Sequence, residues 1–224
     1  MVPRVHSLLL TLLLPLAAIT LGAQPVLHGK IEGTRYHSPT GEFSITIPVL
    51  PELGGSIEDT PNVVTFQDEF NLHASIACFE MDATHRWENE TRGRREYLIW
   101  FFSNFVQSDF RERFPGSQLE SAKFFGSFLS GSLLVYNLLP GGSMFEHRIS
   151  LIGDEAPPVA KRGNLLFVHD GHIYVISTEL AEKVVERRTF NKSVEDENEI
   201  LRKRLFDLVA RITFAHEPAT PPNS

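Results

Sequence analysis

The chain has 224 residues, 42% of them hydrophobic and 22% charged, with a formal net charge of −7 and one cysteine, Cys78. The acidic balance argues against nucleic acid or an anionic membrane surface as the main partner, since both repel a negative protein. A lone cysteine excludes an internal disulfide, and a chain of this length buries a real core without one.

The opening "MVPRVHSLLLTLLLPLAAITLGAQP" carries Arg4, then an apolar run from Leu8 to Leu21, then Gly22 and Ala23. A basic start, an apolar middle and a small residue at the exit predict a signal peptide over residues 1–23. Cleavage is expected after Ala23, although Leu21 is bulky for its place in such a site. The run falls short of the roughly 20 apolar residues of a membrane span, and Pro15 interrupts it. No stable span is therefore expected after cleavage. Loss of Arg4 takes the formal charge to −8. No cysteine stands at the cleavage site to take a lipid. The expectation is an exported protein, secreted or periplasmic.

Residues 24–35 read as a linker, 36–215 as a single α+β domain and 216–224 as a disordered tail. "EFSITIP" (42–48) sets Phe43, Ile45 and Ile47 against Glu42, Ser44 and Thr46, the period of a half-buried strand, and Pro48 ends it. Residues 48–61, rich in Pro and Gly, read as a loop. "NVVTFQD" (62–68) and "LHASIACFEM" (72–81) read as strands. "RREYLIWFFSNFVQSDFRERF" (94–114) spaces Tyr97, Phe101, Phe105, Phe110 and Phe114 for one long, deeply packed helix, and Pro115-Gly116 stops it. "RGRR" (92–95) reads as its solvated start. Residues 122–140 read as one strand bent at Gly126 and Gly131, 145–153 as another, and 154–163 as a loop.

"NLLFVH" and "HIYVISTEL" flank Asp170-Gly171, the strongest short hairpin signal a sequence offers. Both arms are apolar on both faces, which predicts a central hairpin covered by helices. Ser193 reads as the cap of a closing helix, with acids in its first turns. Leu201, Leu205, Leu208, Val209 and Ile212 form that helix's apolar face.

Candidate chemistry is sparse. His169, Asp170 and His172 offer ligand types for a metal, but no partner pair at ligand spacing occurs elsewhere, and the turn needs Asp-Gly in any case. Cys78 is a nucleophile in type, with His73 or His85 as base, yet its setting in "SIACFEM" is that of a small core residue. No G-x-S-x-G, P-loop, G-x-G-x-x-G or H-E-x-x-H is present, so no cofactor is expected. Glu52, Glu58 and Asp59 cluster at 52–59, and Asp68, Glu69, Glu80 and Asp82 follow. None matches a calcium loop, and solvated acids are the plain reading. The sequons at Asn89 and Asn191 act only in a eukaryotic secretory pathway.

"YHSPTGEFSITIP", "VVTFQD" and "GHIYVIS" followed by a closing helix ending "RITF" give the chain a resemblance to the PsbP-like superfamily. Those proteins are extrinsic subunits of photosystem II and their bacterial relatives. The resemblance spans residues 36–214 in outline. It implies an antiparallel sheet flanked by helices, an α/β/α sandwich, and a non-catalytic role in holding or assembling something. No metal-binding position of the photosynthetic proteins carries over. The expectation is thus an exported, non-enzymatic binding protein for a protein partner or a small ligand. Its expected surfaces are the 48–61 loop, with Glu52, Glu58 and Asp59, and the face beside the aromatic helix. A hydrolase or a metal-carrying envelope protein is the alternative.

Overall fold

The computed structural model describes residues 27–69, 72–145, 159–180 and 192–215. Strands β1 (Lys30–Glu32) and β2 (Arg35–His37) form a hairpin, and β2 pairs with β3 (Phe43–Thr46). Residues 30–35 therefore belong to the fold rather than to a linker. A short 3-10 turn (Pro51–Leu53) leads to β4 (Ser56–Asp59), which pairs with β5 (Val63–Gln67). The stretch expected as a loop at 48–61 thus contributes a strand. Pro and Gly still do their local work there, because Gly54 takes φ 71° behind the 3-10 turn.

Next comes β6 (His73–Glu80), then helix α1 (Ala83–Arg92), which the apolar pattern does not announce because no residue of it is buried. Asp82 caps α1 by accepting from His85 N at 2.8 Å. Gly93, at φ 77°, separates α1 from α2 (Arg94–Phe101). Phe102–Val106 then form a π-helical turn, in which Gln107 N donates to Phe102 O, five residues back. The run closes as α3 (Gln107–Arg113). The single long helix expected over 94–114 is thus broken by a π-turn.

Strand β7 (Gln118–Phe125) turns through Gly126–Gly131 into β8 (Ser132–Pro140). One bent strand was expected here; the two glycines instead bracket a hairpin, with Gly131 at φ 107°. The strand expected at 145–153 lies outside the described residues, apart from Phe145. Strand β9 (Val159–His169) takes in residues 159–163, which were expected as loop, and pairs with β10 (His172–Leu180). Helix α4 (Val194–Val209) starts in a capping box made by Ser193 and Asp196. It ends before Ile212, which belongs to β11 (Ile212–Phe214), paired with β3.

Among the described residues the strands make two antiparallel sheets, a small one of four strands in the order β1-β2-β3-β11 and a large one of seven in the order β4-β5-β6-β10-β9-β8-β7. The large sheet is the middle layer. One face carries Ile76, Leu165, Phe167 and Tyr174 against Leu201, Leu205 and Leu208 of α4 and Phe43 and Ile45 of the small sheet. Each such side chain, fully buried, stabilises by about 2 kcal/mol. Gly163 lets α4 approach, since a Cβ there would meet Leu205 at 3.1 Å and Leu201 at 3.2 Å. The other face carries Leu133, Val135, Leu166 and Val168 against Tyr97, Leu98, Phe101 and Phe110. The α+β sandwich expected from the sequence is the architecture found, with β9 and β10 at its centre.

A candidate binding cavity beneath the aromatic helix

Among the described residues, the α2–α3 side of the large sheet is not closed along its whole length. A cavity of about 420 Å³ lies between the sheet and the helical run, within the range of about 300–1,000 Å³ typical of small-molecule sites. Ala77 of β6 and Ile173 and Val175 of β10 line it from the sheet, and Phe101, Val106 and Phe110 from the helices. Phe79 and Phe105 stand at the mouth, 36% and 46% exposed. Phe105 was expected to be packed like its neighbours; it sits in the π-turn, where the extra residue per turn re-aims the helix face. Its ring stays 5.0 Å from Phe101 and 5.3 Å from His85. His85 Nδ1 meets Tyr97 OH at 3.1 Å. The rim carboxylates have partners outside the cavity, Glu80 with Arg86 at 3.3 Å and Asp109 with Arg113 at 2.9 Å.

The floor is polar, and strand alternation puts it there. Ser75 on β6, Arg162 and Asn164 on β9, and Ser177 and Glu179 on β10 occupy alternate positions on the same face. Arg162 Nη1 donates to Glu179 Oε1 at 2.8 Å, Nη2 to Ser75 Oγ at 3.2 Å and Nε to Asn164 Oδ1 at 3.3 Å. Glu179 is fully buried and also accepts from Met144 N at 3.1 Å and from Ser143 Oγ. Asn164 Oδ1 takes a second bond from Ser177 Oγ at 2.9 Å, and Asn164 Nδ2 donates to Asn137 Oδ1 at 3.2 Å. Asn137 in turn donates to Gln107 Oε1 at 2.6 Å, tying the network to α3. The Arg162 guanidinium lies 4.8 Å from the Phe145 ring. A buried ion pair adds little net stability, but removing one partner leaves a charge that costs about 3–5 kcal/mol. The neighbouring Lys161 points to the opposite face, where Glu120 lies at 2.5 Å and Glu197 at 3.2 Å.

Of the residues singled out from the sequence, Glu80 and His85 line the cavity, and the metal candidates, Cys78 and the acids at 52–59 lie elsewhere. Asp170 and Gly171 take φ of 43° and 72°, the left-handed pair that a type I′ turn requires. His169 and His172 face one another in register, but their rings go to different partners. His169 packs 4.3 Å from the Phe214 ring, and His172 Nδ1 donates to Asp170 O at 2.9 Å. Among the described residues no group of three or more His, Cys, Asp and Glu side chains is arranged to hold a metal. Cys78 is buried on the α4 face of the sheet, opposite the cavity, and burial pushes its thiol up to about 11. At neutral pH it is therefore a protonated core residue rather than a nucleophile. His73 and Cys78 stand five positions apart on β6 and so point to opposite faces.

Glu52 is exposed in the 3-10 turn, and Glu58 is exposed on β4, an edge strand of the large sheet. Asp59 has an internal task. Its carboxylate accepts from Gly29 N at 2.7 Å, His28 N at 2.8 Å and Tyr36 OH at 2.7 Å. Partial burial pushes its carboxyl up, but those hydrogen bonds outweigh burial and hold it below the usual carboxylate range. It fastens the start of the small sheet to the edge of the large one.

Sequence reasoning named the face beside the aromatic helix but missed the floor. A signal was there: counting outward from Asp170-Gly171 pairs Arg162 with Glu179 and Asn164 with Ser177. Polar residues at alternate positions of two arms otherwise apolar mark a buried polar stripe.

No family model matches the chain, and no curated protein matches it in sequence. Solved structures are similar in fold. The cyanobacterial PsbP of Synechocystis is similar at 14% identity over 83% of this chain and 98% of that one, with a TM-score of 0.47. A protein of Bacteroides thetaiotaomicron is similar at 11% identity over 86% of this chain and 52% of that one, with a TM-score of 0.42. The Ran-binding protein Mog1p of Saccharomyces cerevisiae is similar at 9% identity over 85% of this chain and 97% of that one, with a TM-score of 0.48. These similarities concern the course of the chain and not its chemistry.

Proposed function

We propose that the chain is an exported, non-enzymatic binding protein that holds a small, largely apolar molecule in the cavity beneath the aromatic helix. The observation that carries this reading is the cavity itself: an apolar chamber of about 420 Å³ with a buried polar network at its floor. Apolar surface left facing an open cavity forgoes stabilisation of about 25 cal/mol per Å². A protein that keeps one has a use for the space. The groups present favour binding over chemistry. Ser75 and Ser177 have Arg162 and Asn164 as hydrogen-bond partners rather than a base, and a serine without a base is a weak nucleophile.

The test is a fluorescence titration with N-phenylnaphthylamine, which brightens in apolar surroundings. Saturable binding at one site is expected. Ala77→Leu puts a larger side chain into the chamber and should weaken that binding by about tenfold or more, the equivalent of about 1.4 kcal/mol, with the melting temperature maintained. Absence of saturable binding, or binding indifferent to Ala77→Leu, overturns the reading.

A further inference from the structure

We infer that the molecule held in this cavity is uncharged and carries a carbonyl group, as in an ester or ketone, with the carbonyl oxygen seated on Arg162, Ser75 and Asn164. The inference rests on the proposed function above and specifies its ligand.

The floor's hydrogen-bond balance carries the argument. Arg162 donates through every nitrogen, yet each terminal nitrogen keeps a second N–H beyond the bonds to Glu179 and Ser75. Asn164 donates one of its two amide hydrogens to Asn137 and keeps the other. Ser75 Oγ accepts from Arg162, so its own hydrogen remains to be given. The strong acceptors are already engaged. Asn164 Oδ1 receives Arg162 and Ser177. Glu179 receives Arg162, Met144 and Ser143. Among the described residues, what remains beyond the lone pairs of two serine hydroxyls is a surplus of donors. All these side chains are at least nine-tenths buried, with Arg162 6% and Ser75 8% exposed and Asn164 fully buried. A buried donor without an acceptor costs about 1–3 kcal/mol, so an occupant that brings an acceptor is favoured.

Charge then selects among acceptors. The Arg162 cation is matched by Glu179 within the floor, and the rim acids Glu80 and Asp109 are matched by Arg86 and Arg113. A carboxylate would bring an uncompensated charge into this setting, on a chain of net charge −7. An ammonium would bring only more donors. A neutral carbonyl supplies lone pairs without charge, and the phenylalanine, valine and isoleucine walls take its apolar body.

The test displaces N-phenylnaphthylamine from the whole protein with methyl decanoate, decanoate and decylamine, which share a chain and differ in the head. Methyl decanoate should bind about fivefold or more tightly than either charged compound, the worth of roughly one hydrogen bond. In the Ser75→Ala protein the affinity for methyl decanoate should fall about threefold to fivefold relative to that for naphthylamine in the same variant. Because Ser75 also receives Arg162, a second measurement needs no variant: the infrared carbonyl band of bound, isotope-labelled ester should fall below its position in hydrocarbon solvent. Equal binding of decanoate or decylamine, or a carbonyl band left at its hydrocarbon position, overturns the inference. If naphthylamine binding responds to Ala77→Leu while the ester shows no preference, the inference fails and the proposed function stands. If naphthylamine is not bound at all, both fail.

Discussion

Asp59 shows how one side chain ties separate parts of the fold together. Its carboxylate gathers two backbone N–H groups and the Tyr36 hydroxyl, and Gly29 must stay small there because a Cβ would lie 2.5 Å from His37 O. The Asp59 carboxyl is held below its ordinary value, so the folded chain takes up that proton less readily than the unfolded one. Its stabilisation is then complete above the unfolded value, near about 4, and is lost as pH falls through the lower folded value. Asp59→Asn should cost about 1–2 kcal/mol near pH 7, the scale of hydrogen bonds to a charged acceptor. Urea melts of both proteins should show that gap narrowing below about pH 4. A gap that stays constant down to about pH 3 would show that charge has no part in the clasp.

At the scale of elements, the β9–β10 hairpin was the most legible part of the chain, and the aromatic helix was legible only in part. Asp170-Gly171 encodes its turn locally, because a short polar residue and a glycine tolerate positive φ where others are strained. Gly171→Val should therefore cost about 1–3 kcal/mol, although nothing stands within 4 Å of the position a Cβ would occupy. Replacing His169 and His172 together with threonine should cost less, since the turn does not depend on either ring. Chemical denaturation of the two variants ranks them, and the reverse order would give the histidines a larger role than the Phe214 contact and the Asp170 hydrogen bond supply. The helix resisted reading for a different reason. Apolar residues at helical spacing run through 94–114, and a π-turn needs no signal in that pattern. It shifts Phe105 to the mouth and lets Gln107 reach Asn137. Helix α1 was missed because no residue of it is buried, leaving it without an apolar stripe.

For the whole molecule, the layered arrangement gives the large sheet two different faces. One is covered by α4 and the small sheet, and the other, among the described residues, keeps a cavity that opens past Phe79 and Phe105. Among the described residues no helix is long and apolar enough to cross a membrane. Export remains part of the proposal and rests on Arg4, the Leu8–Leu21 run and Ala23. Protein isolated from its native host should begin at Gln24 or within a residue or two of it by N-terminal sequencing. Recovery of an intact Met1 from the cytoplasm would remove the exported location while leaving the cavity untouched.

Period and turn chemistry are properties of neighbours along the chain, and they were enough for the α+β class, the central hairpin, the Ser193 cap and the burial of Cys78. The cavity could not be read in that way. Ser75 and Arg162 are 87 positions apart and Asn137 and Gln107 are 30 apart. They meet only after β6 pairs with β10, β10 with β9 and β9 with β8. The pairing of β6 with β10 follows from which apolar faces can be buried together, not from any local pattern. The same holds for the misread segments: Ser56–Asp59 becomes a strand because β5 offers it an edge, and Val159–Gly163 because β8 and β10 flank it. Where long-range pairing supplies the hydrogen bonds, residues that look like loop become strand. Where it brings polar positions of three strands onto one face, a donor-rich floor appears beneath an apolar chamber.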